Sequence, residues 1–165
     1  MKSLLEVINE SFGTAIRNRE YIIENPAESP NIRFDDNNEM VLFIEKWAKE
    51  NDVNLVVRNL EEITGTDFQY NRICRIDGNH YTPEKDFSQN KLYNELCKPN
   101  TVFLIRNYND YSNEWREYAY SIVKQHLFIG EELKTILFTI ATTNPDKELL
   151  GVGERSIFRN VDNDF

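Results

Sequence analysis

Glycine, cysteine and histidine are scarce in this sequence, and none of them forms a pattern that binds phosphate or metal. Six of the 165 residues are glycine. The motif G-x-x-x-x-G-K-[ST], whose glycines let backbone N–H groups surround a phosphate, does not occur. The two cysteines, Cys74 and Cys97, lie far apart and fit no metal-ligand spacing. We therefore expect no metal site, and reduced, partly buried thiols in a cytoplasmic protein.

Basic residues and long apolar runs are also under-represented. Lys and Arg number 19 against 28 Asp and Glu, and the resulting net charge of -9 argues against a broad surface for nucleic acid or for an anionic membrane. No run of about 18 apolar residues is present, so we expect no transmembrane helix. The composition, poor in glycine and rich in asparagine and isoleucine, is typical of a bacterial or phage genome rich in A·T.

Helix-like and strand-like segments alternate along the chain. Apolar residues at helical spacing predict an amphipathic helix over residues 3–24 and further helices over about 39–50, 92–97 and 115–126. Apolar and β-branched runs predict strands at "VNLVVRNL", "TVFLI" and "TILFTIA". Residues 61–87, which contain two glycines and a proline, are predicted to be irregular. The alternation predicts an α/β fold, with a parallel sheet between layers of helices.

The two prolines of "NPAESP" interrupt the N-terminal helical pattern. We therefore divide the chain into an N-terminal helix with its proline-containing linker, residues 1–30, and an α/β core, residues 31–165. No internal repeat or low-complexity segment indicates a further domain.

Three segments follow one another within the core: "VFLIRN", "TIATTNP" and "GERSIFRN". Their order and spacing resemble the nucleotide-binding core of the AAA+ ATPases. In that family the first strand leads into a phosphate loop and a helix, the third carries magnesium-binding acids, and the fourth ends on a polar sensor residue. The resemblance places Asn144 at the sensor position, and Arg155 and Arg159 in the segment whose arginine reaches a neighbouring subunit's nucleotide. It implies a three-layer, P-loop NTPase-like fold, here without the family's helical lid.

The residues that perform chemistry in that family are replaced in this sequence. The octet at the position of the phosphate loop is "FDDNNEMV", which lacks both glycines and has Met40 and Val41 in place of the lysine and the Ser/Thr. Arg106 and Asn107 stand where the family has its magnesium-binding acids. Without these groups we expect no self-contained ATP hydrolysis and no cofactor.

The residues placed by resemblance have alternative interpretations. Asn144 precedes a proline, and Asn-Pro favours turn initiation, so its side chain either senses a nucleotide or caps a turn. Arg155 and Arg159 are either paired on the surface or act in trans on an active ATPase. An arginine finger needs no nucleotide site in its own subunit, so the second interpretation makes the chain an accessory subunit.

A polar segment, "CRIDGNHYTPEKDF", suggests a different chemistry. Its Asp77, His80, Glu84 and Asp86 are residue types that serve as general bases or metal ligands, which would make the chain a small enzyme. "DGN" is equally a good turn, and no second histidine stands at ligand spacing. The other histidine, His126, falls among the core residues of a predicted helix, and we predict that it is structural.

Aromatic residues are concentrated between residues 108 and 120. One helix buries a single stripe of side chains, so we expect some of these aromatics on the surface, where Tyr and Trp favour protein contacts. The candidates for this docking face are Tyr108, Tyr111, Trp115, Tyr118 and Tyr120. We therefore predict a catalytically inactive, AAA+-like interaction or scaffolding module that binds a protein partner, in a homo- or hetero-oligomer.

Overall fold

Helices and strands alternate over most of the chain, as seen in a computed structural model that describes residues 2–148 and 157–161. The helices are α1 Leu4–Arg17, α2 Arg19–Glu24, α3 Asn38–Glu50, α4 Lys91–Leu96 and α5 Arg116–Gln125. The strands are β1 Asn31–Asp35, β2 Asn54–Asn59, β3 Asn71–Asp77, β4 His80–Asp86, β5 Thr101–Arg106, β6 Leu127–Phe128, β7 Glu131–Glu132, β8 Ile136–Thr143 and β9 Arg159–Asn160. Short 3₁₀ turns lie at Pro26–Glu28 and Gly65–Phe68.

Five strands form one parallel sheet in the order β2-β5-β8-β1-β9. The central strands β5 and β8 are buried along almost their whole length, because helices cover both faces of the sheet. Since the strands run parallel, their carboxyl ends meet at one edge of the sheet. The predicted α/β fold, with a parallel sheet between layers of helices, is confirmed.

Helices α1 and α3 cover one face of this sheet. Their buried residues pack against Leu104 of β5 and Phe138 of β8. Trp47 of α3 fixes α1 on this face: its ring centroid lies 5.5 Å from that of Phe12 and 6.2 Å from that of Phe138, and its Nε1 donates a hydrogen bond to Asn9 Oδ1 at 3.0 Å. Burial of large aromatic groups of this kind is a major source of stability for the domain.

Helices α4 and α5 cover the opposite face, where they pack against Val56 of β2 and Ile105 of β5. Asn90 caps the amino-terminal end of α4: its side-chain oxygen accepts a hydrogen bond from the backbone N–H of Tyr93 at 2.8 Å. Phe128 follows α5 and lies within contact distance of several other rings of this layer. The apolar residues predicted for these helices therefore form a second core layer.

The structure corrects three expectations from the sequence and adds one strand. The N-terminal helix breaks at Asn18, which ends α1 by donating its backbone N–H to Thr14 O and leaves α2 as a separate helix. The segment predicted to be irregular contains the antiparallel hairpin β3–β4. Strand β1 was not predicted, because "NIRFD" is only five residues long, although its alternation of polar and apolar residues fits a half-buried strand. Both Cys74 and Cys97 are exposed, rather than partly buried.

Within the described residues, no helix combines the length and the apolar character needed to cross a membrane.

Candidate functional site at the strand ends

The connection between β1 and α3 is too short to form a phosphate loop. Only Asp36 and Asn37 separate the strand from the helix. Asp36 continues the strand pairing, because its backbone N–H donates to Thr143 O at 2.8 Å. Asn37 then caps α3, with its Oδ1 accepting from the backbone N–H of Glu39 at 2.8 Å. The segment therefore lacks the wide, glycine-rich turn with which backbone N–H groups surround phosphates.

A bidentate ion pair occupies the carboxyl ends of the central strands. The Arg106 guanidinium, at the end of β5, donates from Nε to Asp36 Oδ1 at 2.9 Å and from a terminal nitrogen to Asp36 Oδ2 at 2.7 Å. The same guanidinium donates to Asn38 Oδ1 at 2.6 Å. Both charged side chains are about four-fifths buried, so water screens their attraction only weakly. Two-point contact of this type is the strongest geometry available to arginine and a carboxylate.

Thr142 of β8 links this pair to the neighbouring strand. Its hydroxyl donates to Asp36 Oδ1 at 2.6 Å and accepts from the backbone N–H of Asn107 at 3.0 Å. The carboxyl ends of β5 and β8 and the residue that follows β1 thus share one continuous set of hydrogen bonds. We call Asp36, Asn38, Arg106 and Thr142 the strand-end cluster.

The electrostatics of the strand-end cluster oppose a role for Asp36 as a general base. Burial raises the pKa of Asp36, but hydrogen bonds from Arg106 and Thr142 and the guanidinium charge outweigh it, so the pKa lies below its ordinary value. The pKa of Arg106 is raised, chiefly by its hydrogen bonds to Asp36. Both groups are charged at neutral pH and are occupied with each other.

Asn144 lies one residue beyond β8, in a turn held by Asn109. Its Oδ1 accepts from the backbone N–H of Asp146 at 2.9 Å, which is the geometry of an asparagine that caps its own turn. The fully buried Asn109 accepts from Asn144 N at 2.7 Å and donates to the carbonyl oxygens of Asn144 and Glu148, each at 2.9 Å. Sequence reasoning missed Asn109, whose pairing with residues 35 or more positions away has no local signal.

The structure describes only one of the two arginines in the segment "GERSIFRN". Arg159 lies on β9, where its guanidinium donates to Glu10 Oε2 of α1 at 3.3 Å and its side chain is about half exposed. Arg155 lies outside the described residues. The accessory-subunit interpretation stays a prediction.

The polar residues of the 77–86 segment do not converge on one point. Asp77 lies opposite His80 at the tip of the hairpin, whereas Asp86 is at its base, six residues of extended chain or about 20 Å away from His80. Asp86 caps the following turn by accepting from Ser88 N at 3.0 Å, and Glu84 pairs with Arg75 at 3.5 Å. Within the part of the chain that the structure describes, no three His, Cys, Asp or Glu side chains are grouped as metal ligands.

The aromatic residues of 108–120 are mainly packing residues. Tyr108 is completely buried and packs edge-on against Phe158, so its side chain cannot contact a partner. Tyr118 is just over a third exposed and stacks on Phe68 and Trp115, with ring centroids 5.0 and 5.4 Å away. The remaining two candidates, Tyr111 and Tyr120, lie near cations: Tyr111 faces the Arg116 guanidinium, and Tyr120 faces the Lys124 ammonium. The predicted docking face thus keeps only parts of Tyr111 and Tyr118 as substantially exposed surface.

His126 is buried at the carboxyl end of α5, with a positive φ of 52°. Its Nε2 forms a hydrogen bond with the Ser29 hydroxyl at 3.0 Å, which ties the proline-containing linker to the end of the helix. Burial lowers the pKa of His126 to about 4, so the ring is neutral at physiological pH. The prediction that this histidine is structural agrees with its position.

No protein-family model matches this sequence, and no curated protein shows significant similarity to it.

Proposed function

We propose that this chain is an AAA+-like domain that has lost nucleotide hydrolysis and acts through protein contacts. The proposal rests on the strand-end cluster. The order β2-β5-β8-β1-β9 brings together the carboxyl ends of β1, β5 and β8. These are the first, third and fourth strands of the main sheet when the strands are counted along the chain. In the family that the sequence resembles, these three strands lead to the phosphate loop, the magnesium-binding acids and the sensor residue.

The Arg106–Asp36 pair is the observation that carries the proposal. A nucleotide at this edge would meet the Asp36 carboxylate at the start of α3, where the resemblance expects phosphate-binding groups. It would also have to separate an ion pair that is about four-fifths buried, at the cost of leaving each charge without its partner. The cation that a phosphate could use is therefore already neutralised.

Thermal unfolding with ATP and magnesium tests this proposal. A ligand present at a thousand times its Kd stabilises a protein by about 4 kcal/mol, which is several degrees in melting temperature for a domain of this size. We expect no change in melting temperature on adding millimolar MgATP. A rise of several degrees that disappears on adding EDTA would contradict the proposal.

The exposed apolar side chains indicate which surface would bind a protein partner. Ile76 and Tyr81, which lie opposite each other on the hairpin β3–β4, are 66% and 70% exposed, compared with 39% for Tyr111. Exposed apolar groups that lie side by side are typical of binding surfaces, whereas single ones are common on any protein. The hairpin therefore takes the place of the 108–120 segment as the principal contact element.

A further inference from the structure

The hairpin β3–β4 has two chemically different faces. Residues directly opposite each other on antiparallel strands point to the same side, and successive residues alternate. One side, which we call the basic face, carries Arg72, Cys74, Ile76, Tyr81, Pro83 and Lys85. All six are exposed. The opposite side carries Ile73, Arg75 and Thr82 together with the carboxylates of Asp77, Glu84 and Asp86.

The basic face has two cations and no carboxylate, in a chain with a net charge of -9. Arg72 forms no ion pair with any residue in the described ranges 2–148 and 157–161, so its charge is available. Lys85 is held in place, because its ammonium donates to Ile129 O at 2.7 Å and lies 5.5 Å from the centre of the Tyr70 ring. The face is therefore locally positive on a protein that is acidic overall.

A groove runs along the base of this face. Tyr70, Arg72, Pro83 and Lys85 line it together with Glu84, and its volume is about 280 Å³. Ile76 and Tyr81, opposite each other nearer the tip, extend the groove as an apolar surface. Cations at the base and apolar side chains toward the tip fit a ligand that combines carboxylates with apolar groups.

The edges of the hairpin indicate how such a ligand would lie. Pro83 has no backbone N–H, so β4 is a poor edge for further strand pairing. Strand β3 has no proline, and none of the described strands other than β4 pairs with it. An extended peptide that adds to β3 would place every second side chain on the basic face.

We propose that β3 binds an extended segment of an acidic protein partner, in which carboxylates alternate with apolar or aromatic residues. This inference rests on the proposed function, since it supplies the partner class and the surface for the protein contact. A second copy of this chain is a poorer fit, because its own β3 carries two arginines and a single carboxylate rather than an excess of acids. The basic face also has too few cations to follow a nucleic-acid backbone, since it carries only Arg72 and Lys85.

Selection of random peptides displayed on phage, with the full chain as target, provides the probe. We expect the selected peptides to be enriched in Asp or Glu alternating with apolar or aromatic residues. Selected peptides without an acidic excess would overturn the proposal, and so would the absence of any selected peptide.

Matched substitutions on the two faces locate the binding site of a selected peptide. Arg72→Glu and Ile76→Ala change the basic face, whereas Arg75→Glu and Ile73→Ala make the same changes on the opposite face. We expect the first two variants to weaken binding at least about tenfold, as at an interaction hot spot, and their counterparts to change it by less than about threefold. Equal losses on both faces, or a loss only in the controls, would contradict the proposal.

The two exposed cysteines give a readout on the unmodified protein. Cys74 lies on the basic face, whereas Cys97 lies at the end of α4. A bound peptide should slow the alkylation of Cys74 by iodoacetamide and leave that of Cys97 unchanged. Protection of Cys97 alone, or of neither thiol, would place the peptide elsewhere.

Two further measurements exclude the other occupants. In sedimentation experiments, we expect the full chain not to self-associate through the basic face; self-association that disappears in Arg72→Glu would show the opposite. We also expect that a single-stranded oligonucleotide does not compete with the peptide. Either observation would replace the acidic segment with a second copy or a nucleic acid. None of these experiments involves a nucleotide, so this inference and the loss of ATP binding can fail separately.

Discussion

At the scale of single residues, the strand-end cluster shows how two opposite charges are held largely out of water. Arg106 and Asp36 each supply the charge that the other requires, and both side chains are about four-fifths buried. Neither residue can therefore be replaced without affecting the other.

We expect removal of either partner to destabilise the protein. Asp36→Asn or Arg106→Gln leaves a largely buried charge without its partner, which should cost about 3 kcal/mol in free energy of unfolding. The double variant should lose less than the sum of the two single losses, because both single variants remove the same interaction. Urea unfolding of the four proteins measures this coupling.

The exposed pair of Arg75 and Glu84 is the control for this experiment. Its atoms are 3.5 Å apart, but the arginine side chain is 74% exposed. Glu84→Gln should therefore change stability by no more than about 1 kcal/mol. A loss as large as that of Asp36→Asn would mean that burial is not the source of the effect.

His126 predicts a pH dependence of stability. Its pKa is lowered from 6.5 to about 4 in the folded protein, so between these values the unfolded state binds more protons than the folded state. Stability should be complete above about pH 6.5 and fall by about 3 kcal/mol as the pH falls to 4. His126→Asn should flatten this decline, because asparagine has no group that takes up a proton in this range. Asparagine is the suitable replacement because it also tolerates a positive φ. Melting temperatures across this range measure the effect.

The same variant also shows the outcome that would contradict this prediction. If the stability of His126→Asn declined as steeply as that of the original protein between pH 6.5 and 4, the buried histidine would not be the titrating group.

At the scale of secondary-structure elements, β8 determines the stability of the sheet. It lies between β5 and β1, and all eight of its residues are buried. Leu104, Ile105, Phe138 and Ile140 are buried in two adjacent strands, β5 and β8, at the positions of the predicted strands "TVFLI" and "TILFTIA". Such a strand has no solvent-facing position that would tolerate a change in volume.

Phe138→Ala should therefore cost about 3–5 kcal/mol, through lost burial and the cavity that remains. Leu42→Ala, on the solvent face of α3 with 63% exposure, removes an apolar side chain of comparable type and should change stability by less than about 1 kcal/mol. Chemical denaturation of both variants compares them directly. Melting of Phe138→Ala within a degree or two of the original protein would be incompatible with a central, doubly covered strand.

The elements differ in how well the sequence predicts them, and the reasons are physical. Strands β5 and β8 are covered on both faces, so their apolar residues are continuous and recognisable. The hairpin β3–β4 is covered on neither face, so its alternation of Arg, Ile and Thr carries no burial signal. The pattern of apolar residues in a sequence predicts the elements that lie in the core. It does not predict an element that projects from the core.

At the scale of the whole molecule, the sequence contained the parts of the candidate site but not their pairing. The resemblance placed Arg106 on the predicted third strand and Asn144 at the end of the fourth. The partners of these residues were not predicted: Arg106 pairs with a residue 70 positions earlier, and Asn144 with one 35 positions earlier. Contacts at such separations depend on strand order, which the local pattern of a sequence does not specify.

The position of β1 between β8 and β9 also determines when the fold can be completed. Every residue of β1 pairs with one more than a hundred positions later in the chain, and the Thr142 hydroxyl reaches Asp36 across 106 positions. Contacts this distant in sequence form slowly, because a long loop must close before they contribute. During synthesis, α1 and β1 therefore emerge from the ribosome long before the strand that β1 joins. Until β8 has been translated, the apolar face of the N-terminal third has no sheet to cover, which makes this interval the period of greatest risk for aggregation and for recognition by chaperones.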